Sequence, residues 1–184
     1  MMDSCSNCDC HKKIFRLNKV SSCPDCRGSS VQSSVPSNFT SGAIWRNHET
    51  EKIVVSLLNK SDVDRTVTVS VVDWQNCAQE EMPKEAFLCG ESQSSLFNGT
   101  PTPLTFTIPA KKLLVIHAIP QNIWQPNDPI YEVLVITPTD PVLPTDPVFP
   151  NDPIIFNTWG INDSGVPQVG NTVLHQQFHR TFFV

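Results

Sequence analysis

The feature that constrains the fold most is a strict alternation of side-chain types in residues 65–74, RTVTVSVVDW. Two sets of residues take turns along this segment: Val67, Val69 and Val71, and Thr66, Thr68 and Ser70. A period of two places the valines on one side of an extended chain and the hydroxyl groups on the other. The segment therefore predicts a β-strand with one buried and one exposed face.

Other segments predict further strands. Residues 51–59 (EKIVVSLLN) form an apolar run, and the following NKSDVD supplies turn residues for a hairpin with the 65–74 strand. In PLTFTIP, Leu104, Phe106 and Ile108 share one face. KKLLVIHAI and IYEVLVIT are nearly continuous apolar runs, as expected of strands covered on both sides. Two final strands are predicted in IIFNTWGIND and NTVLHQQFHRTFFV, around the turn DSGVPQVG.

The fold class predicted for residues 43–184 is all-β. No stretch of ten or more residues shows a helical period, and the chain contains 16 prolines. Because no crossover helices are visible, we expect a two-sheet β-sandwich, Ig-like or jelly-roll-like, of seven to nine short strands. We expect a soluble protein, because no apolar run approaches the length of a spanning helix and the start, MMDSCSNCDC, lacks a signal peptide's apolar region.

Cysteine and charge set the N-terminal 30 residues apart. Five of the seven cysteines lie there: Cys5, Cys8, Cys10, Cys23 and Cys26. Residues 1–30 carry five basic and three acidic side chains, a formal charge of +2, and the remaining residues carry eight basic and fifteen acidic ones, a charge of −7. We predict a Cys-rich arm (1–30), a Ser-rich linker (31–42) and an acidic body that does not bind nucleic acid.

Two chemistries fit the arm. The pairs Cys5-x2-Cys8 and Cys23-x2-Cys26 resemble the four-thiolate site of a zinc ribbon, in which each turn directs two sulfurs at one ion. Alternatively, all five thiols form disulfides with other subunits. An odd cysteine total leaves at least one thiol free or joined to another chain. We expect no other cofactor, and the choice between zinc and cross-linking stays open.

Two more features were considered as sites. Cys77 and Cys89 lie in an expected inter-strand loop and either form an intramolecular disulfide or remain free. A six-residue Pro-Asp-Pro repeat occupies residues 126–155 and places single carboxylates at Asp128, Asp140, Asp146 and Asp152. One carboxylate per unit is a poor calcium site, so a stiff extended loop is the favoured interpretation.

No catalytic residue is predicted, and we expect a protein that is not an enzyme. The sequence has no phosphate-binding loop, nucleophile elbow or zincin motif. His117 alternates with Leu113 and Val115, which favours a core or edge histidine over a base paired with Cys89. The four tryptophans and ten phenylalanines are attributed to packing and not to a ligand platform.

Four blocks carry a family resemblance: VVSLLNKSDVDRTVTVSVVDW, IPAKKLLVIHAI, YEVLVI and NTWGINDSGVPQVGNTVLHQQF. In this order they resemble small β-sandwich proteins of endospore-forming Firmicutes, over residues 45–180. The resemblance implies a structural protein of the spore coat, exosporium or appendages, which assembles with itself or with other spore-layer proteins. The chain departs from those proteins in its Pro-Asp-Pro repeat.

The implied location agrees with the cysteine content. Spore-layer proteins are made in the mother-cell cytoplasm without a signal peptide, and mother-cell lysis later exposes them to oxidising surroundings. Thiols can then become cross-links. We therefore expect an oligomeric anchoring protein, with a zinc-ribbon adaptor that binds a partner protein as the alternative.

Overall fold

The fold is seen in a computed structural model that describes residues 36–74, 79–93, 101–120, 130–137 and 153–181. These residues form twelve β-strands and one single-turn 3-10 helix, His175–Gln177. No helix among them is long and apolar enough to cross a membrane. In chain order the strands are β1 (Ser37–Thr40), β2 (Ile44–Trp45), β3 (Lys52–Asn59), β4 (Arg65–Asp73), β5 (Glu80–Glu81), β6 (Lys84–Leu88), β7 (Glu91–Ser92), β8 (Leu104–Ile108), β9 (Leu113–Ala118), β10 (Ile130–Thr137), β11 (Ile154–Ile161) and β12 (His179–Thr181).

The strands pair into two sheets in which every ladder is antiparallel. Sheet A has the order β12-β1-β10-β4-β5, with β2 also beside β10 and β8 also beside β4. Sheet B has the order β11-β3-β9-β6-β7. The two sheets pack as a sandwich, which confirms the predicted all-β fold class. The boundary between the arm and the linker lies in residues that the structure does not describe and stays a prediction. The predicted linker (31–42) overlaps β1 (Ser37–Thr40), whose Phe39 is buried in the core, so the sandwich begins before residue 43.

The hydrophobic core lies between the sheets and is built from alternate residues of each strand. In β4, Val67, Val69 and Val71 are at most 1% exposed, as the alternation predicts. Sheet B supplies the opposite layer, which includes Val55, Leu57, Leu114, Ile116 and Phe156. Burial of each such side chain stabilises the fold by roughly 1.5–3 kcal/mol, which makes this layer the main source of stability.

The predicted hairpin between residues 51–59 and 65–74 is wrong. Strand β3 pairs with β9 and β11 in sheet B, whereas β4 pairs with β10, β8 and β5 in sheet A. The turn between them therefore carries the chain across the core. The turn between β8 and β9 does the same, because β8 lies in sheet A and β9 in sheet B.

Asn59 joins these two crossings. Its side chain belongs to a fully buried residue, and Nδ2 donates to the carbonyl oxygens of Val63, Ile108 and Pro109 at 2.8, 2.9 and 3.1 Å. Its Oδ1 accepts from the backbone N–H and the hydroxyl of Ser61 at 3.0 and 2.7 Å. One side-chain amide thus satisfies backbone groups of both crossings. A two-residue hairpin would not leave these backbone groups without partners.

We predict that Asn59→Asp lowers the free energy of unfolding by more than about 2 kcal/mol, because a carboxylate cannot donate to the three buried carbonyls. Asn162→Asp is the matched control. Its Oδ1 accepts from the N–H groups of Ser164 and Val166, an arrangement that a carboxylate preserves. Urea unfolding of both variants tests this, and equal stabilities would contradict the role given to Asn59.

Two other strand predictions need correction. The runs KKLLVIHAI and IYEVLVIT are not covered on both sides by described residues: burial alternates along β9 and β10, and the outer residues Leu113 and Ile136 are each 39% exposed. After β11, the described chain forms a loop, the 3-10 helix and the three-residue β12 where a full strand was predicted. The loop lies along β11 through two isolated bridges, Thr158 with Val173 and Ile161 with Pro167.

A close contact at Gly160 fixes this C-terminal loop. A Cβ at Gly160 would lie 2.7 Å from Cγ2 of Thr50 and 2.8 Å from Nδ2 of Asn171. Thr50 and Asn171 are hydrogen-bonded to each other at 2.7 Å, and the backbone oxygen of Asn171 accepts from the buried Tyr131 hydroxyl at 3.0 Å. Burial raises the pKa of Tyr131, so this hydroxyl stays a donor.

We predict that Gly160→Ala destabilises the protein by about 1–3 kcal/mol, since the added methyl group forces Thr50 and Asn171 apart. Val166→Ala, in the same loop at a side chain that is 53% exposed, should change stability by less than about 0.5 kcal/mol. Thermal unfolding measures both, and an unchanged melting temperature for Gly160→Ala would refute the close contact.

Candidate functional site

Most of the predicted site residues lie outside the described residues. This holds for the five arm cysteines, for Cys77 and for the four aspartates of the repeat. The zinc and cross-linking predictions for the arm therefore stay predictions. Within the part of the chain that the structure describes, no group of three or more His, Cys, Asp or Glu side chains could hold a metal ion.

Cys89 is the predicted site residue that the structure does describe, and it is a free, exposed thiol. It occupies the turn between β6 and β7 with φ of 51°, followed by Gly90 with φ of 91°. Two successive positive φ values are typical of a two-residue hairpin turn, which directs the Cys89 side chain away from the sheet. Its partnership with Cys77 is untested, because Cys77 lies outside the described ranges.

His117 lies on the outer face of sheet B and is not paired with Cys89. The Cys89 N–H donates to the carbonyl of Leu113 at 2.9 Å, four residues along β9 from His117. That separation is roughly 13 Å in a strand, too far for a catalytic pair. The imidazole packs against Phe87 with ring centroids 4.8 Å apart. The sequence favoured a core or edge histidine, whereas His117 lies on the outer face of a central strand, between β3 and β6.

Burial lowers the pKa of His117 below its usual value of 6.5, and the charge of Lys52 lowers it further while Glu85 opposes both. The unfolded chain therefore takes up a proton at this histidine at a higher pH than the folded protein does. The free energy of unfolding consequently falls as the pH drops below about 6.5.

We predict that His117→Gln reduces the loss of stability between about pH 7.5 and about pH 5. Lys52→Gln should reduce it by a smaller amount, because the pKa of His117 then rises towards its ordinary value. Denaturant unfolding at both pH values measures the effect. An identical pH dependence in wild type and His117→Gln would contradict the assignment.

A buried ion pair stabilises the β5–β6 corner, and no sequence pattern predicted it. The ammonium of Lys84 contacts Glu81 and donates to the carbonyls of Met82 and Thr102 at 2.9 and 3.1 Å. The carboxylate of Glu81 accepts from the Ser70 hydroxyl and from the backbone N–H of Val71. Burial lowers the pKa of Lys84 and the contact with Glu81 opposes that shift. Both charges are neutralised within the fold, so the pair is structural.

Two tryptophans contradict the expectation that these residues serve packing. Trp45 is 61% exposed and Trp74 is 38% exposed. Trp45 is the register partner of Ile130 in β10. On the other side of β10, the backbone N–H of Trp74 donates to the carbonyl of Ile130 at 2.9 Å. Each Trp adjoins an inward, buried residue of its strand, Ile44 and Asp73 respectively, so both indoles lie on the outer face of sheet A.

A carboxylate lies beside these indoles. Glu132 follows Ile130 by two positions on the outer side of β10. Its Oε2 accepts from the indole N–H of Trp74 at 3.1 Å, and its Oε1 accepts from the hydroxyl of Thr40. We call Trp45, Ile130 and Trp74 the tryptophan row, and Glu132 lies beside it. Sequence reasoning missed it because its members are brought together only by the pairing of β2, β10 and β4.

Charge pairing lies beneath the tryptophan row. Arg46 is 6% exposed and Asp73 is 8% exposed, and both are the inward neighbours of the two tryptophans. Burial lowers the pKa of Arg46, whereas the charges of Asp73 and Glu51 raise it. The charge of Asp73 on β4 therefore favours the protonated form of Arg46, which follows β2 on the other side of β10.

Comparison with known proteins adds no relative: no protein-family model, no curated protein and no solved structure matches the chain. The structure thus supports the two-sheet all-β fold that the resemblance implied, and the spore-protein family itself remains a proposal.

Proposed function

We propose that the protein is a non-enzymatic structural and anchoring component of the bacterial spore surface. The sandwich is the rigid block, and the cysteines of residues 1–26 cross-link it to copies of itself or to other spore-layer proteins. The observation that carries the proposal is the separation of these roles along the chain: five thiols precede the described strands, the first of which is Ser37–Thr40. A thiol-rich segment next to a closed β core suits covalent assembly.

The fold supports the building-block role in a second way. The Asn59 amide donates to carbonyls of the β3–β4 and β8–β9 turns, and the ammonium of the buried Lys84–Glu81 pair donates to the carbonyls of Met82 and Thr102. Among the described strands, β8 pairs only with β4 in sheet A, and we propose that its second edge pairs with a strand of a neighbouring subunit.

Electrophoresis of the purified full chain after air oxidation tests the cross-linking. We expect a ladder of oligomers without reductant that collapses to monomer with reductant. A variant with serine at Cys5, Cys8, Cys10, Cys23 and Cys26 should remain monomeric under both conditions. Cys89→Ser is the matched control and should keep the ladder. A wild-type monomer without reductant would refute covalent anchoring.

The second candidate function is a zinc-ribbon adaptor whose sandwich binds a partner protein, and it rests on the spacing of Cys5, Cys8, Cys23 and Cys26. Native mass spectrometry separates the two candidates. One zinc per chain, removed by a chelator, supports the adaptor. If the chain still has its metal-free mass after preparation with zinc, the adaptor is excluded and the cross-linking proposal is retained.

A further inference from the structure

We propose that the outer face of sheet A binds an extended, uncharged polysaccharide of β-1,4-linked pyranoses, seated across the tryptophan row. This binding function goes beyond the anchoring role, since it requires no cysteine. It is carried by the geometry of Trp45, Ile130 and Trp74, by the carboxylate of Glu132, and by the charge of the surrounding face.

The spacing of the indoles fits a linear polymer. Trp45, Ile130 and Trp74 belong to three neighbouring strands at one level of the sheet. Two strand spacings of about 4.8 Å place the two tryptophan backbones about 10 Å apart. That distance is comparable with one disaccharide repeat of an extended β-linked chain. Ile130 lies between the two tryptophans in the register, so the row crosses the strands with an apolar residue at its centre.

The exposed tryptophans supply the recognition of a sugar ring. The face of a pyranose presents C–H groups, which stack on the electron-rich face of an indole, while its hydroxyls remain at the ring edge. The indole of Trp74 is held in position by the hydrogen bond from its ring N–H to the Glu132 carboxylate. A preorganised aromatic surface loses little conformational freedom on binding.

Hydrogen-bonding groups lie along one side of the row. Each carboxylate oxygen of Glu132 accepts one hydrogen bond from the protein, from Thr40 and from Trp74, and retains a lone pair for a sugar hydroxyl. The row therefore combines an apolar strip with a hydrogen-bond acceptor, which matches the apolar ring face and the hydroxyl edge of a glycan.

The charge of this face excludes anionic polymers. Among the described strands of sheet A, no lysine or arginine has an outward position, whereas Glu132 and Glu81 do. Such a face repels anionic glycans, nucleic acid and acidic lipid. Glu81 is already paired with Lys84, so one unpaired carboxylate, oriented by two protein donors, is left beside the row. A neutral polymer satisfies it through hydroxyl donors.

Isothermal titration of the reduced full-length protein tests the proposal, with chitohexaose and cellohexaose as probes. We expect binding to at least one of them and none to hyaluronan oligosaccharides. Trp45→Ala and Trp74→Ala should each weaken binding about tenfold or more, and Trp45→Phe should retain most of it because the aromatic face remains. Leu113→Ala is the control, since Leu113 is 39% exposed on the other sheet.

Several outcomes would overturn the proposal. One is failure to bind either chitohexaose or cellohexaose, and another is binding of hyaluronan. A third uses the cationic glucosamine hexamer as an additional probe: binding of this oligosaccharide alone, lost in Glu132→Gln, would show charge attraction in place of recognition of a neutral glycan. Sedimentation gives one more: if wild type self-associates and Trp45→Ala does not, the row is a contact between copies of the chain. Since the titration uses reduced protein, its failure leaves the cysteine cross-linking experiment unaffected.

Discussion

The topology depends on one buried amide. Asn59 donates to carbonyls on the β3–β4 crossing and the β8–β9 crossing, and accepts from Ser61, in a residue with no exposed surface. Both crossings carry the chain from one sheet to the other, and the amide links a buried carbonyl, that of Ile108, to the part-buried carbonyls of Val63 and Pro109. Because this amide satisfies them, strands that follow each other in sequence can lie on opposite sides of the core.

The same crossings place chemistry on the outer surface. Because β4 enters sheet A, it pairs with β10, and β10 pairs with β2 on its other side. This arrangement brings Trp45 and Trp74 to one level, with Ile130 between them. The buried Arg46 and Asp73 occupy the inward positions next to them. The tryptophan row is thus a product of strand order.

Sequence patterns located strands well and paired them badly. The predicted segments 51–59 and 65–74 correspond to Lys52–Asn59 and Arg65–Asp73. The predicted hairpin between them is wrong, because a period of two identifies the side chains that share a face but does not identify the sheet that a strand joins. The final strand failed because bridges of Thr158 with Val173 and Ile161 with Pro167 pair a loop with β11.

The sequence by itself determined the all-β fold class, the inward faces of the strands and the concentration of cysteine before the body, since these follow from local periodicity and composition. The tertiary structure decided the partners of each strand, the burial of Asn59 and Lys84, and the exposure of the two tryptophans. These depend on contacts between residues far apart in the chain. Only strand pairing brings Trp45 and Trp74 to the two sides of Ile130.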